Sequence, residues 1–241
     1  MEYILEKKSM TLKIQRFFFF KTLKKAQKVI LPSTTIQNLY KSWKINTPSL
    51  VIPNMVDTAH FQQNRSEAKV YDLVTSGRLI SLKQIDVLIR ASADLNVSLL
   101  VIGEGPDEMK LKSLAERLNA RVEFSGSIGQ ELLPTILNRC RVFVLLSKFE
   151  AGTPFSLIEA KSCGLYCVGT FGTGSEDVIR DGIDGALCKA SDYDALLVTL
   201  RYALDHPELQ EKISMLAQQD ARERFDSKKN FVQIYSLLSE V

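Results

Sequence analysis

The sequence predicts an α/β protein built on a doubly wound parallel sheet, that is, a sheet covered by helices on both faces. Short apolar runs rich in β-branched residues alternate along the chain with segments of helical periodicity. Because these runs are apolar on both faces of a strand, they are typical of parallel strands buried beneath helices. The composition is that of an ordinary globular protein, since 45% of the 241 residues are hydrophobic and 24% are charged.

The predicted elements alternate in order after a mostly helical basic segment at the N-terminus. Predicted strands, rich in β-branched and other apolar residues, span 50–52, 71–76, 98–102, 121–124, 141–146 and 166–169. Predicted helices span 33–43, 84–95, 107–119, 130–139, 155–163 and 175–180. After Gly185 the pattern turns helical, and Pro207 and Asp226-Ser227 divide this tail into helices 192–205, 208–224 and 227–240. The tail should pack on the sheet or on a neighbouring domain.

The inventory of reactive side chains is small. The four cysteines form no C-x-x-C pair and lie in apolar segments, where buried free thiols are common. The two histidines are far apart in the sequence. A disulfide framework, a metal site and a Ser-His-Asp triad are therefore not expected, and any chemistry must rest on carboxylates, lysines, arginines and backbone amides.

Positive charge is concentrated near the N-terminus. Residues 1–31 carry eight basic and two acidic side chains, whereas the remaining residues carry 23 basic and 26 acidic ones. The chain is therefore not expected to bind nucleic acid. No apolar run approaches the ~18 residues of a spanning helix, and the first residues lack the basic-then-apolar order of a signal peptide. These features predict a cytoplasmic protein.

The basic segment surrounds four consecutive phenylalanines, residues 17–20. One interpretation places it on an anionic membrane surface, as a peripheral contact at the cytoplasmic face, because basic residues attract acidic headgroups. The other makes it a helix that docks on protein, because four consecutive side chains wrap around a helix instead of forming one apolar stripe. The sequence leaves both interpretations open.

The loop Gly77–Lys83 follows a predicted strand, which is where open α/β sheets bind their ligands. Arg78 and Lys83 together would neutralise a diphosphate, the arginine through a bidentate fork and the lysine as a mobile point charge. Two solvated surface cations would have the same pattern, so the motif alone leaves both possibilities open.

The loop Gly103-Glu104-Gly105-Pro106 matches half of a dinucleotide-binding fingerprint, and Pro106 opens the next helix. The third glycine of that fingerprint would fall at Glu108, and acidic residues at a helix start repel pyrophosphate. Nicotinamide binding is therefore disfavoured. The glycines are expected to let a ligand approach from above.

The segment Ser147–Ala160 is the most informative, because a loop turns into a helix there and carries two carboxylates. Backbone N–H groups near Thr153 to Leu157 would point out of the helix start toward a phosphate. Glu159, about one turn inside, could accept two hydrogen bonds from a ribose diol, and Glu150 could hold sugar hydroxyls. As plain structure, Glu150 would be a surface loop residue and Glu159 a capping or salt-bridged one.

A last glycine loop, residues 169–179, could border the same cleft. Ser175 would be the N-cap of the following helix, and Glu176 and Asp177 would be stabilised by the positive end of its dipole.

Taken together in order, these motifs resemble glycosyltransferase family 4, a retaining family of the GT-B fold. The resemblance covers nearly the whole chain, and it depends on the ordered set because no single motif is specific. The matching segments are KVILPS (28–33), LVIPNMVD (50–57), SGRLISLKQIDVLIRA (76–91), LLVIGEGPDEMKL (99–111), VEFSG (122–126) and VFVLLSKFEAGTPFSLIEAKSCG (142–164).

The resemblance implies a nucleotide-sugar donor, linked to UDP or GDP, as the substrate, with no metal and no cofactor. It implies Arg78 and Lys83 on the diphosphate, Glu150 near the donor sugar, and Glu159 on the ribose. Amides around residues 155 and 156 would lie near phosphate, and backbone at 126–128 would face the base. The further donor-binding residues implied are Gly77, Gly103, Gly105, Gly126, Ser127, Ile128, Thr153, Phe155, Ser156 and Leu157.

The sequence departs from the family in three places. Eight residues separate Glu150 from Glu159 where the family has seven, so Ala151 is treated as an insertion. Met55 replaces the glycine of the family's I-P-N-G-V-D loop. The family's N-terminal acceptor domain, with its glycine-rich loop and its histidine, has no complete counterpart. Residues 1–48 are therefore interpreted as a remnant of that domain with a linker, and residues 49–241 as a Rossmann-like nucleotide-sugar-binding domain with a helical tail.

The expected function is transfer of a sugar, with retention, to a saccharide or lipid-linked acceptor. Because a GT-B active site lies between two domains, the chain is expected to need an acceptor-domain protein as its partner. The alternative is a non-catalytic remnant that binds a partner through its open face. The two hypotheses differ in whether the chain binds nucleotide.

Overall fold

The computed structural model describes residues 10–150, 152–189 and 192–239. Its strands are β1 Val29–Leu31, β2 Ser49–Val51, β3 Tyr71–Ser76, β4 Leu99–Ile102, β5 Val122–Gly126, β6 Cys140–Leu145, β7 Tyr166–Thr170 and β8 Ala186–Cys188. The last six form one parallel sheet in the order β5-β4-β3-β6-β7-β8. The chain therefore enters at the centre, builds one side of the sheet and then the other, which confirms the predicted doubly wound arrangement.

Helices cover both faces of this sheet. They are α1 Met10–Lys25, α2 Thr34–Ser42, α3 Ile85–Leu95, α4 Glu108–Arg117, α5 Leu133–Asn138, α6 Phe155–Ser162, α7 Tyr193–Asp205, α8 Pro207–Arg224 and α9 Ser227–Ser239. One face packs on α3, α4 and α7, and the other packs on α5 and α6, while α8 contributes to both cores. Adjacent residues of a strand, such as Leu73 and Val74 of β3, are completely buried in opposite cores, as the apolar strand pattern predicts.

Three local predictions were wrong. The segment 175–180 forms only a single 3₁₀ turn, Ser175–Asp177, where a helix was predicted. The chain does not turn helical directly after Gly185, because β8 comes first and pairs with β7. β1 was not predicted either. β1 and β8 are three residues long, which is too short for an alternating or continuous apolar pattern to stand out in the sequence.

The N-terminal part forms a small unit against the main sheet. β1 pairs in parallel with β2 from Val29 to Leu31, and α2 packs beside them. Phe20 and Leu23 of α1 contact a small core of buried residues, which consists of Leu31, Ile36, Tyr40 and Ile45. The predicted domain boundary, between residues 48 and 49, separates β1 from β2, although these two strands pair. The division of the chain into domains stays a prediction. Among the described residues, no helix has both the length and the apolarity needed to cross a membrane.

Asp177 fixes α2 to the main domain by accepting hydrogen bonds at the N-terminus of that helix. Its carboxylate accepts from the Thr34 amide at 3.1 Å and from the Thr35 amide at 3.3 Å, and it also accepts from both threonine hydroxyls. The sequence predicts that Asp177 lies at the start of its own helix, and this prediction was wrong. The carboxylate instead neutralises the positive end of a helix 143 residues earlier in the chain.

Glu176 stays local, and its carboxylate orders the glycine loop after β7. It accepts from the Thr173 amide at 3.2 Å and from the Gly174 amide at 3.0 Å. The two neighbouring carboxylates therefore have different tasks, one inside the loop and one between the N-terminal unit and the sheet.

A buried ion network holds α6 against α8. The Lys161 ammonium, fully buried, lies 2.5 Å from the Asp220 carboxylate and 3.1 Å from the Asp184 carboxylate. Arg180 and Arg224 complete the network from its exposed rim, at 2.6 Å from Asp184 and 3.0 Å from Asp220 respectively. Since two buried carboxylates face one buried ammonium, the outer arginines supply the charge that the lysine alone does not balance.

The C-terminal helices close onto the linker that follows β2. The Val56 amide donates to the Phe225 carbonyl at 2.9 Å, and the Ser227 amide donates back to the Val56 carbonyl at 2.9 Å. The Thr58 hydroxyl donates to the Asp226 carboxylate at 2.5 Å. These contacts hold the linker at the junction between α8 and α9.

Replacing Lys161 with methionine should lower the free energy of unfolding by about 3–5 kcal/mol, because it leaves two buried carboxylates without their ammonium. Urea unfolding followed by circular dichroism measures this change. Arg65→Met is the matched control, since Arg65 pairs with Glu211 in an exposed ion pair. That control should lose about 1 kcal/mol or less. Equal losses in the two variants would contradict the role assigned to the buried network.

Candidate functional site

The candidate site lies at the carboxyl ends of the parallel strands, beside the point where the strand order reverses between β3 and β6. Four loops meet there, following β3, β4, β5 and β6 in turn. Crevices at this place are where open α/β sheets bind ligands. The loops at residues 77–83, 103–107, 127–131 and 147–154 carry most of the residues that the sequence singled out.

Two of these loops are packed so closely that only glycine fits between them. A Cβ atom on Gly103, whose φ is +126°, would stand 2.0 Å from the Gly77 carbonyl oxygen. A Cβ atom on Gly105 would stand 2.3 Å from the Leu79 carbonyl oxygen. The close approach of the β3 and β4 loops therefore accounts for these glycines, and the expected access for a ligand is not needed to explain them.

A cavity of about 330 Å³ opens between the loops after β3, β4 and β5 and the side chain of Glu159. Five of the predicted site residues besides Glu159 line it: Gly77, Arg78, Gly103, Ser127 and Ile128. The lining does not include the other predicted donor-binding residues, which are Gly105, Gly126, Thr153, Phe155, Ser156 and Leu157. The other lining residues are Ser76, Ile102, Glu104, Gln130, Leu133 and Glu159. The cavity is therefore bounded by backbone on one side, by a carboxylate at its base and by a cation at its rim.

Arg78 is the exposed cation at the rim of this cavity. Its guanidinium makes no hydrogen bond and no ion pair with any of the described residues. On the opposite wall the Ser127 amide donates to the Glu104 carboxylate at 3.2 Å, which ties the loop after β5 to the loop after β4. Gly126, with φ of +69°, ends β5 and turns the chain into that wall.

Glu159 lies on α6 and is buried, with 6% of its surface exposed. Burial raises the pKa of its carboxyl group above the ordinary value, and a hydrogen bond from Gln130 acts in the opposite direction. The Gln130 carboxamide donates to this carboxylate at 3.2 Å. A buried carboxylate with an open face is an acceptor for hydroxyl donors, the chemistry expected of a ribose-binding group.

Lys83 and Glu150 were predicted to act on different parts of a ligand, and the structure joins them in an ion pair. The Lys83 ammonium lies 2.6 Å from the Glu150 carboxylate, and both side chains are mostly buried. The Glu150 amide donates to the Thr173 carbonyl at 2.9 Å, so the loop after β7 also holds this segment. Lys83 and Glu150 are therefore not independent groups, because each is already the partner of the other.

The N-terminus of α6 begins at Phe155, whose ring is 53% exposed. The first N–H groups of a helix have no acceptor inside it, so Phe155 and Ser156 present their amides outward. The Leu157 amide is occupied, because it donates to the Pro154 carbonyl at 3.2 Å, and the Leu157 side chain lies in the core. The Phe155 and Ser156 amides therefore have no acceptor among the described residues, and their contact with a phosphate stays a prediction.

Thr153, predicted as a donor-binding residue, is bonded to the linker residue Asn54. Its hydroxyl oxygen accepts from the Asn54 amide at 2.8 Å, and its carbonyl accepts from the Asn54 carboxamide at 2.7 Å. The linker residue Asn54 thereby fixes the loop that precedes α6. The predicted insertion at Ala151 lies outside the described residues.

Sequence reasoning missed several residues of the cavity wall, and Gln130 is the one among them that contacts the Glu159 carboxylate. It follows the predicted base-facing loop and lies on no recognised motif, and no signal in the sequence indicates its contact with Glu159. A second cavity of about 370 Å³ lies on its other side. The residues lining that cavity are Met55, Val56, Asp57, His60, Phe61, Gln130, Phe155 and Glu159.

A loop-built cavity at the carboxyl edge of a doubly wound sheet defines a ligand-binding α/β domain. Comparison with known sequences identifies it further: the chain belongs to the family Glycosyl transferases group 1, whose model matches residues 56–220. This membership agrees with the resemblance found in the sequence motifs.

Individual relatives cover different shares of the chain. N-acetyl-alpha-D-glucosaminyl L-malate synthase of Bacillus anthracis is 25% identical over 221 residues, which are 86% of this chain and 57% of that protein. The phosphatidylinositol N-acetylglucosaminyltransferase gpi3 subunit of Schizosaccharomyces pombe is 32% identical over 139 residues, which are 54% of this chain and 30% of that protein. The chain therefore spans less than two thirds of the length of either relative.

The fold is shared with solved structures. Anabaena Alr3699/HepE, in a crystal structure in complex with UDP, matches 90% of this chain and 64% of its own with a TM-score of 0.83 at 22% identity. The match confirms the predicted GT-B type of Rossmann-like architecture.

Replacing Glu159 with glutamine should raise the melting temperature at pH 7 by a few degrees. A carboxyl group whose pKa is raised in the folded protein binds its proton more tightly there than in the unfolded chain. As the pH rises from below the pKa of the unfolded chain to above the raised pKa of the folded protein, Glu159 lowers the free energy of unfolding. Glutamine does not ionise, so it removes this loss.

Thermal unfolding at pH 4 and pH 7 tests this expectation, because the gain should shrink at pH 4, where the carboxyl group is protonated. Glu116→Gln, on the exposed side of α4, is the control and should change little at either pH. A loss of stability at pH 7 in the Glu159 variant would contradict the destabilising role.

Proposed function

We propose that this chain binds a nucleoside-diphosphate sugar and supplies the donor half of a glycosyltransferase active site. The observation that carries the proposal is a cavity at the carboxyl edge of the sheet that is lined by an exposed cation, Arg78, and a buried carboxylate, Glu159. Phe155, at the N-terminus of α6, lines the adjoining cavity, which shares Gln130 and Glu159 with the first. Membership in the family supports the same assignment. A saccharide or a lipid-linked sugar is the proposed acceptor, as in polysaccharide assembly.

Each group has a proposed task. Glu159 accepts hydrogen bonds from the ribose, and the backbone of 126–128 faces the base. Arg78, Lys83 and the amides of Phe155 and Ser156 stabilise the negative charge that grows on the departing diphosphate. In this proposal those protein groups stabilise the negative charge of the diphosphate without a cofactor. The sugar is transferred with retention of its anomeric configuration.

The Lys83–Glu150 ion pair gives the proposal a specific geometry. The lysine has three N–H donors, so it can keep Glu150 and contact a phosphate oxygen at the same time. Glu150 retains acceptor sites for hydroxyl groups of the donor sugar. The pair therefore stands at the junction between diphosphate and sugar, where the bond that breaks is located.

A UDP- or GDP-linked donor is the proposed substrate. The structural neighbour Alr3699/HepE was determined in complex with UDP, and its shared fold makes UDP the first nucleotide to test. The pyrimidine and purine nucleotides differ only at the base, which is proposed to face the wall at 126–128.

The acceptor is proposed to be bound by a separate acceptor-domain protein. The relative from Schizosaccharomyces pombe carries the name of a subunit, which supports a reaction that depends on a partner. α9 offers an apolar surface for such a contact, because its exposed residues include Phe231, Val232, Tyr235 and Leu238, each at least 63% exposed. The two-stranded β1–β2 sheet of the N-terminal unit offers its edges as a second surface.

Arg78→Ala and Glu159→Ala should each weaken nucleotide binding about tenfold or more, because hydrogen bonds to charged groups contribute about 1.5–3 kcal/mol each. Isothermal titration calorimetry against UDP, GDP and ADP, with and without magnesium, measures the affinity. Arg117→Ala, which removes an exposed arginine from α4, is the control and should bind as the unaltered protein does.

Two results would contradict the proposal. Unchanged affinity in both site variants would remove those residues from the nucleotide site. Failure of the folded, unaltered chain to bind any of the three nucleotides would favour the alternative, a non-catalytic remnant that binds a protein partner.

We also propose peripheral contact between α1 and an anionic membrane surface. Phe17, Phe18 and Phe19 are 62, 58 and 46% exposed. Phe19 and Phe20 contact Trp43 with ring centroids 6.0 and 5.4 Å apart. Four exposed lysines accompany these rings, at positions 21, 24, 25 and 28. Exposed aromatic rings beside a row of cations suit an acidic headgroup layer, and Phe20 fixes the helix to the protein.

The double variant Phe17→Ser, Phe18→Ser should bind vesicles of phosphatidylglycerol and phosphatidylcholine about tenfold or more weakly, since burying each ring contributes on the order of 1.5–3 kcal/mol. Co-sedimentation measures binding, and Val198→Ser on α7 controls for loss of an exposed apolar residue. Equal binding to vesicles of pure phosphatidylcholine would contradict the electrostatic part of the proposal.

A further inference from the structure

Gln130 stands between the two cavities of the site and belongs to the wall of both. It lies in the loop between β5 and α5, two residues after Ile128. Its side chain is directed to Glu159 of α6, and its backbone carbonyl contacts the linker that follows β2. One residue therefore contacts the proposed ribose-binding carboxylate and the linker at the same time.

Two hydrogen bonds define this position. The Gln130 Nε2 atom donates to Glu159 Oε1 at 3.2 Å. The Gln130 carbonyl oxygen lies 2.9 Å from His60 Nε2, and since a carbonyl only accepts, the imidazole donates. The linker itself is held to the α8–α9 junction through Val56 and Thr58. The Gln130 backbone is therefore tied to a fixed part of the fold, which limits how far its side chain can move from Glu159.

Among the described residues, Gln130 is the one hydrogen-bond donor to the Glu159 carboxylate. The other charged or titratable groups around that carboxylate are Arg78 and Glu104 in the first cavity, Asp57 and His60 in the second, and Cys163 one turn later in the chain. Burial favours the protonated acid, which donates a hydrogen bond and loses acceptor capacity. The contact from Gln130 favours the ionised acid.

We propose that Gln130 is a positioning residue of the nucleotide site, which orients Glu159 and keeps it an acceptor for the ribose hydroxyls. The donated bond uses one oxygen of the carboxylate, Oε1, and leaves Oε2 as an acceptor for the ligand. The inference rests on the proposed nucleotide binding for its consequence, but the contact between Gln130 and Glu159 is measurable without any ligand.

The test compares Gln130→Met, which keeps the length of the side chain and removes the donor, with Gln130→Lys, which supplies a charged donor. Titration of the Glu159 carboxyl group by ¹³C NMR, with glutamate labelled at the carboxyl carbon, gives its midpoint in each protein. Glu159→Gln identifies the resonance. The methionine variant should move the midpoint to higher pH, and the lysine variant should move it to lower pH.

Affinity for UDP or GDP, whichever binds the unaltered chain, is then measured by calorimetry at pH 6 and pH 8. The affinity at pH 8 divided by the affinity at pH 6 should be about twofold larger or more in Gln130→Met than in the unaltered chain, because more of the Glu159 carboxyl group is then protonated at pH 6. Gln219→Met is the matched control, since Gln219 donates to Glu223 at 2.9 Å in an exposed pair on α8. Comparing variants cancels the titration of the phosphates of the nucleotide.

The outcomes separate this proposal from the one it rests on. A Glu159 midpoint that is unchanged in Gln130→Met would overturn the positioning role. Equal loss of affinity at both pH values would overturn it too, because it would make Gln130 a direct contact of the nucleotide. Absence of nucleotide binding in the unaltered chain would reject the proposed function, while the NMR midpoints would still decide whether Gln130 controls Glu159.

Discussion

The buried Lys161 ammonium, held between Asp184 and Asp220, is the interaction on which the site depends. Lys161 lies on α6, the helix that carries Glu159 into the wall of the cavity. A helix of eight residues has little stability of its own, so its place is set by what it packs against. The ion network ties it to α8 and to the segment before β8, and so fixes the position of every group that α6 contributes.

The chemistry of the site arises from loops that are distant in sequence and are brought together by the parallel sheet. The glycines after β3 and β4 let two of these loops touch through their backbones, and Asn54 fixes the loop before α6 through Thr153. Contacts with other parts of the fold therefore fix the loops around the cavity. Rigid walls of this kind lower the cost of binding, because few groups must be ordered when a ligand enters.

The sequence predicted five of the six strands of the main sheet and most of the helices, and it indicated the candidate site at the carboxyl ends of the strands. These follow from local patterns: apolar runs, glycine loops and residues at strand ends. Arg78 and Glu159 were predicted as site residues for the same reason, since each lies beside a recognisable turn, and both line the first cavity. The partners of Asp177 and Lys83 were not predictable, because they lie 143 and 67 residues away and depend on how loops bend in three dimensions. Gln130 was not predictable for the same reason, because its contact with Glu159 joins two segments that are 29 residues apart.

The pairing of Lys83 with Glu150 also affects which anions compete for the site. A lysine that already has a carboxylate partner offers less net attraction to a small inorganic anion, since the neighbouring negative charge repels it. A ligand that carries hydroxyl groups beside its phosphates satisfies both members of the pair at once. In the proposed nucleotide site, this pair would discriminate against free phosphate, a selectivity that arises from repulsion as much as from attraction.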